Sequence, residues 1–357
     1  MAAVDTAVHP APASVQPKLE TRYAALDAFR GVIMILLCSR GFGFRGGQFG
    51  HVEWEGAVLW DLIQPAFMFM VGMAMPFALA IRTSRGATPS DNFRHVAVRA
   101  FKLLVLSQIL MSVSSGRLHF QLINVLAQMA FTYFLCYLIL QLPFRAQTIT
   151  AGLILGFHWA LFALFPGADG AFSRTDNIGA AIDKAVLGYN YGGHYATINF
   201  LSSTVTTLFG AWVALLLMRE KSQAKVMKTL AVSAAGAFAI GLALAPFNPL
   251  VKRLWTASFT FYSTGYVLAM LLAFYWLIEV RGYRKLAWPL MVVGMNSIFI
   301  YSVSIVLYGW LDRAVGVFTR KFEFLGAAAP NAQAVAVLLV MWYLCYWLYR
   351  RKIFVKL

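Results

Sequence analysis

The stretch GHVEWEGAVLWDLIQPAFMFMVG, residues 50–72, gathers the side chains best suited to chemistry. Imidazole is partly neutral near pH 7, so His51 is a candidate general base or nucleophile. Asp61 stands just inside a run of phenylalanines and methionines. An ionisable group at bilayer depth costs about 3 kcal/mol on insertion scales and is by default a functional candidate, with a hydrogen-bonded packing role as the bland alternative. Gln64 lies three residues on, on the same helical face, and Pro65 removes a backbone donor there. Glu53 and Trp54 sit on the approach and are candidates for substrate contact. His51, Glu53 and Glu55 alternate as metal ligands can, but no second His or Cys cluster accompanies them, and no metal is expected.

Other polar groups interrupt apolar stretches. Asn124 and Gln128 are four apart on one helical face, Asn199 opens a span with Ser202 and Ser203, and Asn296 with Ser297 breaks another. Each suits interhelical hydrogen bonding, and together they suggest a polar cavity. His158, beside Trp159 in mid-span, reads as a packing residue. The stretch RTSRGATPSDNFRHVAVRAFK brings Arg82, Arg85, Arg94, Arg99 and Lys102 to one mouth. Such a cluster fits cofactor phosphates, anionic headgroups or plain topogenesis. RGFGFRGGQFG is glycine-rich but follows no strand, so it is a flexible loop rather than a nucleotide loop.

The elements that must position these groups follow from composition. The chain has 357 residues, 60% hydrophobic and 12% charged, which excludes an ordinary soluble domain. The net charge of +16 comes from basic residues between apolar runs, where they set topology rather than bind nucleic acid. Cys38, Cys136 and Cys345 fall inside apolar runs with no paired spacing, so neither disulfides nor zinc are implied.

The fold expected is all-α, a polytopic integral membrane protein of about ten transmembrane helices of roughly 20 residues. They are placed at approximately 26–44, 57–81, 95–115, 121–142, 147–165, 198–218, 226–245, 256–279, 288–310 and 332–349. Residues 1–21, rich in Ala and Pro, read as a disordered cytoplasmic tail before one membrane domain over 22–357. With the N-terminus inside, Lys and Arg favour the cytoplasmic side by about two to one, which puts both termini in the cytoplasm. His51 and the loop from about 166 to 197 then face outward.

LDAFRG (26–31) followed by HVEWEGAVLWDLIQPAF resembles the heparan-alpha-glucosaminide N-acetyltransferase family, with its Leu-Asp-x-x-Arg-Gly helix start and His-x-x-Trp-x-Gly loop. NIGAAIDKAVLG (177–188), NPLVKRLWTASFTFYSTG (248–265) and VGMNSIFIY (293–301) continue the likeness in order, over nearly the whole chain from residue 22. Cys38-Ser39-Arg40 stands where the family has an asparagine ending the first span. NVLAQM, with Asn124 and Gln128, replaces its Val-Leu-Gln-Arg cluster, and TINF replaces its Asp-Pro-Glu-Gly. The chain thus looks like a divergent, bacterial-type branch.

The resemblance implies an acetyltransferase of a bacterial inner membrane. Cytosolic acetyl-CoA would be the donor, and a sugar or glycan amine or hydroxyl on the exterior the acceptor. His51 falls on the family's active histidine. Asp61 would orient or charge-tune it, and Asn296 would donate to the thioester oxygen. Arg94, Arg99, Lys102, Asn124 and Gln128 are assigned to the cofactor, and Glu53, Trp54 and Asn199 to the acceptor. Lipid bilayer is the expected surrounding, and a homodimer is left open. The competing reading is a transporter or lipid- or glycan-binding protein on the same fold, without chemistry.

Overall fold

The computed structural model describes residues 23–44 and 46–355, and the expected tail over 1–21 lies outside them. Thirteen α-helices occur among the described residues. The first seven are α1 (Ala24–Cys38), α2 (Ile63–Ser84), α3 (Pro89–Ser115), α4 (Val125–Leu140), α5 (Phe144–Leu164), α6 (Ile178–Leu187) and α7 (Phe200–Arg219). The rest are α8 (Gln223–Leu244), α9 (Ala257–Tyr275), α10 (Arg284–Gly294), α11 (Ser297–Val306), α12 (Tyr308–Thr319) and α13 (Ala329–Arg350).

Among the described residues, seven helical segments are long and apolar enough to cross a membrane, and eight if the bent pair α10–α11 is one span. Ten were expected, and the difference has local causes. Helix α1 has 15 residues, about 22 Å at 1.5 Å per residue against a hydrocarbon core of roughly 30 Å. It stops where Arg40, Gly41 and Phe42 all take left-handed backbone angles. Helix α4 has 16 residues because Asn124, expected inside it, caps its start by accepting from the Ala127 N–H at 3.0 Å. The stretch expected as one span over 288–310 is two helices bent by 58° at Met295 and Asn296. Helices α6 and α12 had no counterpart in the expected set.

Helix α2 is central. Of its most apolar window 72% is buried inside the protein, against 22% for the comparably apolar α3. The Phe67–Met70 run and Met73 pack in the main core with α1 and α9. Against α7, α2 comes to backbone distance: a Cβ at Gly72 would collide with the Thr207 carbonyl, and one at Gly210 with the Phe69 carbonyl. Two reciprocal glycines thus let the backbones touch, a membrane packing device that fixes both helices along their length.

At the end of the bundle where α2 and α9 begin, three connecting stretches are knitted together. Gly56 N–H donates to the Leu250 carbonyl at 2.8 Å, and Trp54 Nε1 to the Phe172 carbonyl at 2.8 Å. Ala196 N–H donates to the Arg253 carbonyl at 3.3 Å. Residues 46–58, 167–196 and 248–256 therefore form one rim.

Candidate active site

Asp61 is the third residue of a short 3-10 turn, Leu59–Leu62, that leads into α2, and it is 1% exposed. One carboxylate oxygen, Oδ2, accepts from the N–H groups of Val52 and Val58, both at 3.3 Å. The unpaired N–H groups of a helix start favour negative charge, so the position suits a carboxylate even inside an apolar protein.

The other oxygen, Oδ1, lies 2.7 Å from His51 Nδ1 and 3.4 Å from Lys252 Nζ. Lys252 Nζ is also 3.3 Å from His51 Nδ1. An ammonium has only donors, so both groups share Oδ1 as acceptor, and the hydrogen of the neutral imidazole is assigned to Nδ1. That leaves the Nε2 lone pair free. Half of the His51 side chain is open to the surroundings (51%), whereas those of Lys252 (6%) and Asp61 (1%) are enclosed. A base or nucleophile at the rim, with an enclosed orienting carboxylate and an enclosed cation both beside it, is an arrangement for proton or acyl transfer.

Lys252 was not among the expected site residues. Its motif was visible as NPLVKRLW, but its partner lies 191 residues away in sequence. The segment is held under strain. Trp255 takes φ = 57°, rare for a bulky residue, while fully buried, and its indole donates to Thr206 Oγ1 at 3.1 Å. Thr256 Oγ1 ties the same turn by donating to the Pro249 carbonyl at 2.7 Å and accepting from Val251 N–H at 3.1 Å.

Beneath the site runs a buried polar line. The Tyr195 ring lies 5.9 Å from Lys252 Nζ, and its hydroxyl donates to Gln64 Oε1 at 3.1 Å. Gln64 Nε2 donates to Gln128 Oε1 at 2.6 Å, and Gln128 Nε2 to Ser203 Oγ at 2.9 Å. Each amide is satisfied at both ends, which is the condition for keeping such groups in an apolar interior.

The expected site residues separate into groups. His51, Asp61, Glu53 and Trp54 share the rim, with Glu53 exposed and Trp54 tying the loop to Phe172. Asn199 is buried beside it and donates to the Arg253 carbonyl at 3.4 Å, which supports the Lys252 segment. Gln128 joins through Gln64, and Asn124 positions it by capping α4. Asn296 does not join: its amide donates to the Ile353 carbonyl at 3.2 Å and accepts from Val355 N–H at 3.0 Å, pinning the C-terminal segment. Arg94, Arg99 and Lys102 are on α3, which follows the far end of α2 from Asp61; the 22 residues of α2 span about 33 Å. Arg94 and Lys102 are exposed, and Arg99 lies over the Tyr133 ring at 4.9 Å. Arg99 Nη1 donates to the Tyr133 hydroxyl at 3.3 Å, while its Nε is buried with no acceptor among the described residues. There, too, no three His, Cys, Asp or Glu side chains gather as a metal site.

Comparison with known proteins follows the same lines. Residues 22–170, which include His51 and Asp61, match the family model described as heparan-alpha-glucosaminide N-acetyltransferase, catalytic. The human heparan-alpha-glucosaminide N-acetyltransferase is 25% identical over 412 aligned residues, covering 95% of this chain and 60% of its own length. The mouse protein of the same name is 24% identical, over 98% of this chain and 63% of its own. The chain therefore spans about three-fifths of the length of the curated relatives it matches. By family model over residues 22–170 and by alignment along almost all of its length, the chain is similar to heparan-alpha-glucosaminide N-acetyltransferases.

Proposed function

We propose that this integral membrane protein moves an acetyl group from cytosolic acetyl-CoA to an amine or hydroxyl of a sugar or glycan on the opposite side. Both chain ends lie on the cytoplasmic side of a bacterial inner membrane in this reading. The observation that carries it is the free Nε2 of His51, set at the rim by Asp61 and the buried Lys252.

The thioester supplies the activated acetyl carbon. His51 Nε2 takes the proton of the acceptor as the acceptor atom bonds to that carbon. The carbon–sulfur bond breaks, and the same proton passes to the departing thiolate. Asp61 stabilises the imidazolium while it lasts, as a carboxylate on Nδ1 does in hydrolytic triads. Direct attack by Nε2, giving an acetyl-imidazole that the acceptor then discharges, uses the same nitrogen.

Arg94, Arg99 and Lys102 suit the phosphates of the donor, and the Arg99 Nε–H without an acceptor is the feature that fits an incoming oxygen. Because Arg94 lies near the start of α3, which follows the end of α2 away from His51, the acyl arm needs a way through the bundle. The line Ser203, Gln128, Gln64, Tyr195 is the proposed wall of that way.

The test is acetyl transfer from labelled acetyl-CoA to a panel of amino-sugars and sugars by purified protein. His51→Ala should lower the rate by about 10² to 10⁴, the usual worth of a positioned base, while the protein still inserts and retains CoA. Transfer at the wild-type rate would remove His51 from the reaction. A transporter or binding protein on this fold would release no CoA with any acceptor.

A further inference from the structure

Away from His51, helices α7, α8 and α9 leave an apolar cleft of about 690 Å³. Phe209, Trp212 and Leu216 of α7 form one wall, and Ser233 and Gly236 of α8 the other. A Cβ at Gly236 would meet nothing within 4 Å, so this mid-helix glycine leaves the cleft open at a position where alanine would strengthen the helix. Phe144 and Ile240 line the cleft and are 62% and 45% exposed, so it opens sideways.

One end is basic. Arg219 lines the cleft at the last residue of α7, is exposed, and makes no ion pair among the described residues. Glu220 beside it is engaged by Lys225 at 3.9 Å and by the Ser222 N–H at 2.9 Å. Lys221 adds positive charge two residues on. From Phe209 to Arg219, α7 rises about 15 Å, half of a roughly 30 Å hydrocarbon core.

We propose that the cleft binds one acyl chain of an anionic glycerophospholipid, with the phosphate at Arg219. The dimensions are those of a single leaflet's chain, and the side opening admits it from the bilayer. The unpaired guanidinium at the surface end selects a negatively charged headgroup over a zwitterionic one. The site occupies the leaflet opposite the His51 rim, since α7 starts next to Asn199, beside that rim, and ends at Arg219. In the proposed orientation that leaflet is the cytoplasmic one.

The experiment uses the full chain, purified in mild detergent and supplied with phosphatidylglycerol or phosphatidylcholine of equal chain length. Retained lipid is counted by native mass spectrometry, and the unfolding midpoint is read with a thiol-reactive dye. Wild-type protein should retain phosphatidylglycerol preferentially and be stabilised more by it. Arg219→Gln should lose the preference, and Gly236→Leu should lower retention of either lipid about tenfold, equivalent to about 1.4 kcal/mol. Leucine is favoured over glycine in a helix, so that variant should still fold. Equal retention of the two lipids by wild type, a preference that survives Arg219→Gln, or undiminished retention by Gly236→Leu would each overturn the proposal.

Discussion

Replacing Lys252 by methionine keeps most of the side-chain volume and removes the only buried cation facing Asp61 among the described residues. At 3.4 Å and an effective dielectric of 20, the attraction between the two charges is about 5 kcal/mol. Each ion gave up several kcal/mol of hydration to be there, so the pair as a whole is close to neutral, whereas losing one partner strands the other. Breaking a buried pair typically costs about 3–5 kcal/mol. Asp61 would keep His51 and two backbone N–H groups, so the lower figure applies, roughly 4 °C in unfolding midpoint for a chain of 357 residues. Cys38, Cys136 and Cys345 are all buried thiols, so a thiol-reactive dye reports unfolding directly. Asp61→Asn alone should also destabilise, by leaving the ammonium without its counter-charge. In the double variant neither charge is stranded, and it should be more stable than the sum of the two losses by at least about 1.5 kcal/mol. Strict additivity, or wild-type stability of Lys252→Met, would refute the claim that the two charges depend on each other.

Arg94→Gln together with Lys102→Gln should weaken CoA binding and flatten its salt dependence while leaving the unfolding midpoint unchanged, because both side chains are exposed; unchanged affinity by titration would return these residues to topology alone. Burial pushes the Asp183 carboxyl above its ordinary 3.8, partly offset by the Thr197 N–H it accepts. The folded state then holds this proton more tightly than the unfolded one, so stability falls as pH rises through 3.8 and on through the raised folded value. Asp183→Asn should therefore be more stable than wild type at pH 7, and melting curves should show the gain vanish below about pH 4. A cysteine at Gly47 or Gly170 should label with an impermeant thiol reagent in intact cells and one at Ser222 should not, since Lys and Arg concentrate on the Ser222 side; the reverse pattern would invert the proposed orientation.

Which parts of this arrangement were readable in one dimension follows from the kind of physics each part uses. Apolar length announces a span, and α2, α3, α5, α7, α8 and α9 stand close to where hydropathy places them. It does not announce what a span faces, because lipid tails and neighbouring helices are equally apolar. The Phe–Met run after Asp61 is as apolar as a lipid-facing stretch and is core. The short α1 was hidden because its end at Arg40–Gly43 rests on left-handed backbone angles, not on a change in polarity. His51 and Asp61 were readable because they are ten residues apart, with one at a rim and the other at a helix start. Lys252 was not, because a lysine between apolar runs looks like a topology signal until the carboxylate 191 residues away is known. Asn296 misled for a related reason: an amide in mid-span signals a polar partner without saying which, and here the partner is the backbone of residues 353 and 355.

The charge at the rim explains why an aspartate belongs inside that apolar run. With His51 neutral, Asp61 and Lys252 cancel, so the enclosed part of the site carries no net charge and costs little beyond two desolvations offset by four donors. When Nε2 accepts a proton, the site gains one positive charge, and it gains it on the imidazole, the one member of the three that is half open to the surroundings. The new charge is shared between solvent and the Oδ1 already 2.7 Å away, so no group has to move to stabilise it. Placing the carboxylate nearer the surface would leave it hydrated and weaken that support, since the same separation is worth less at higher dielectric. Placing the imidazole deeper would strand the charge it acquires. Charge therefore changes on the half-open His51 and stays fixed on the enclosed Asp61 and Lys252.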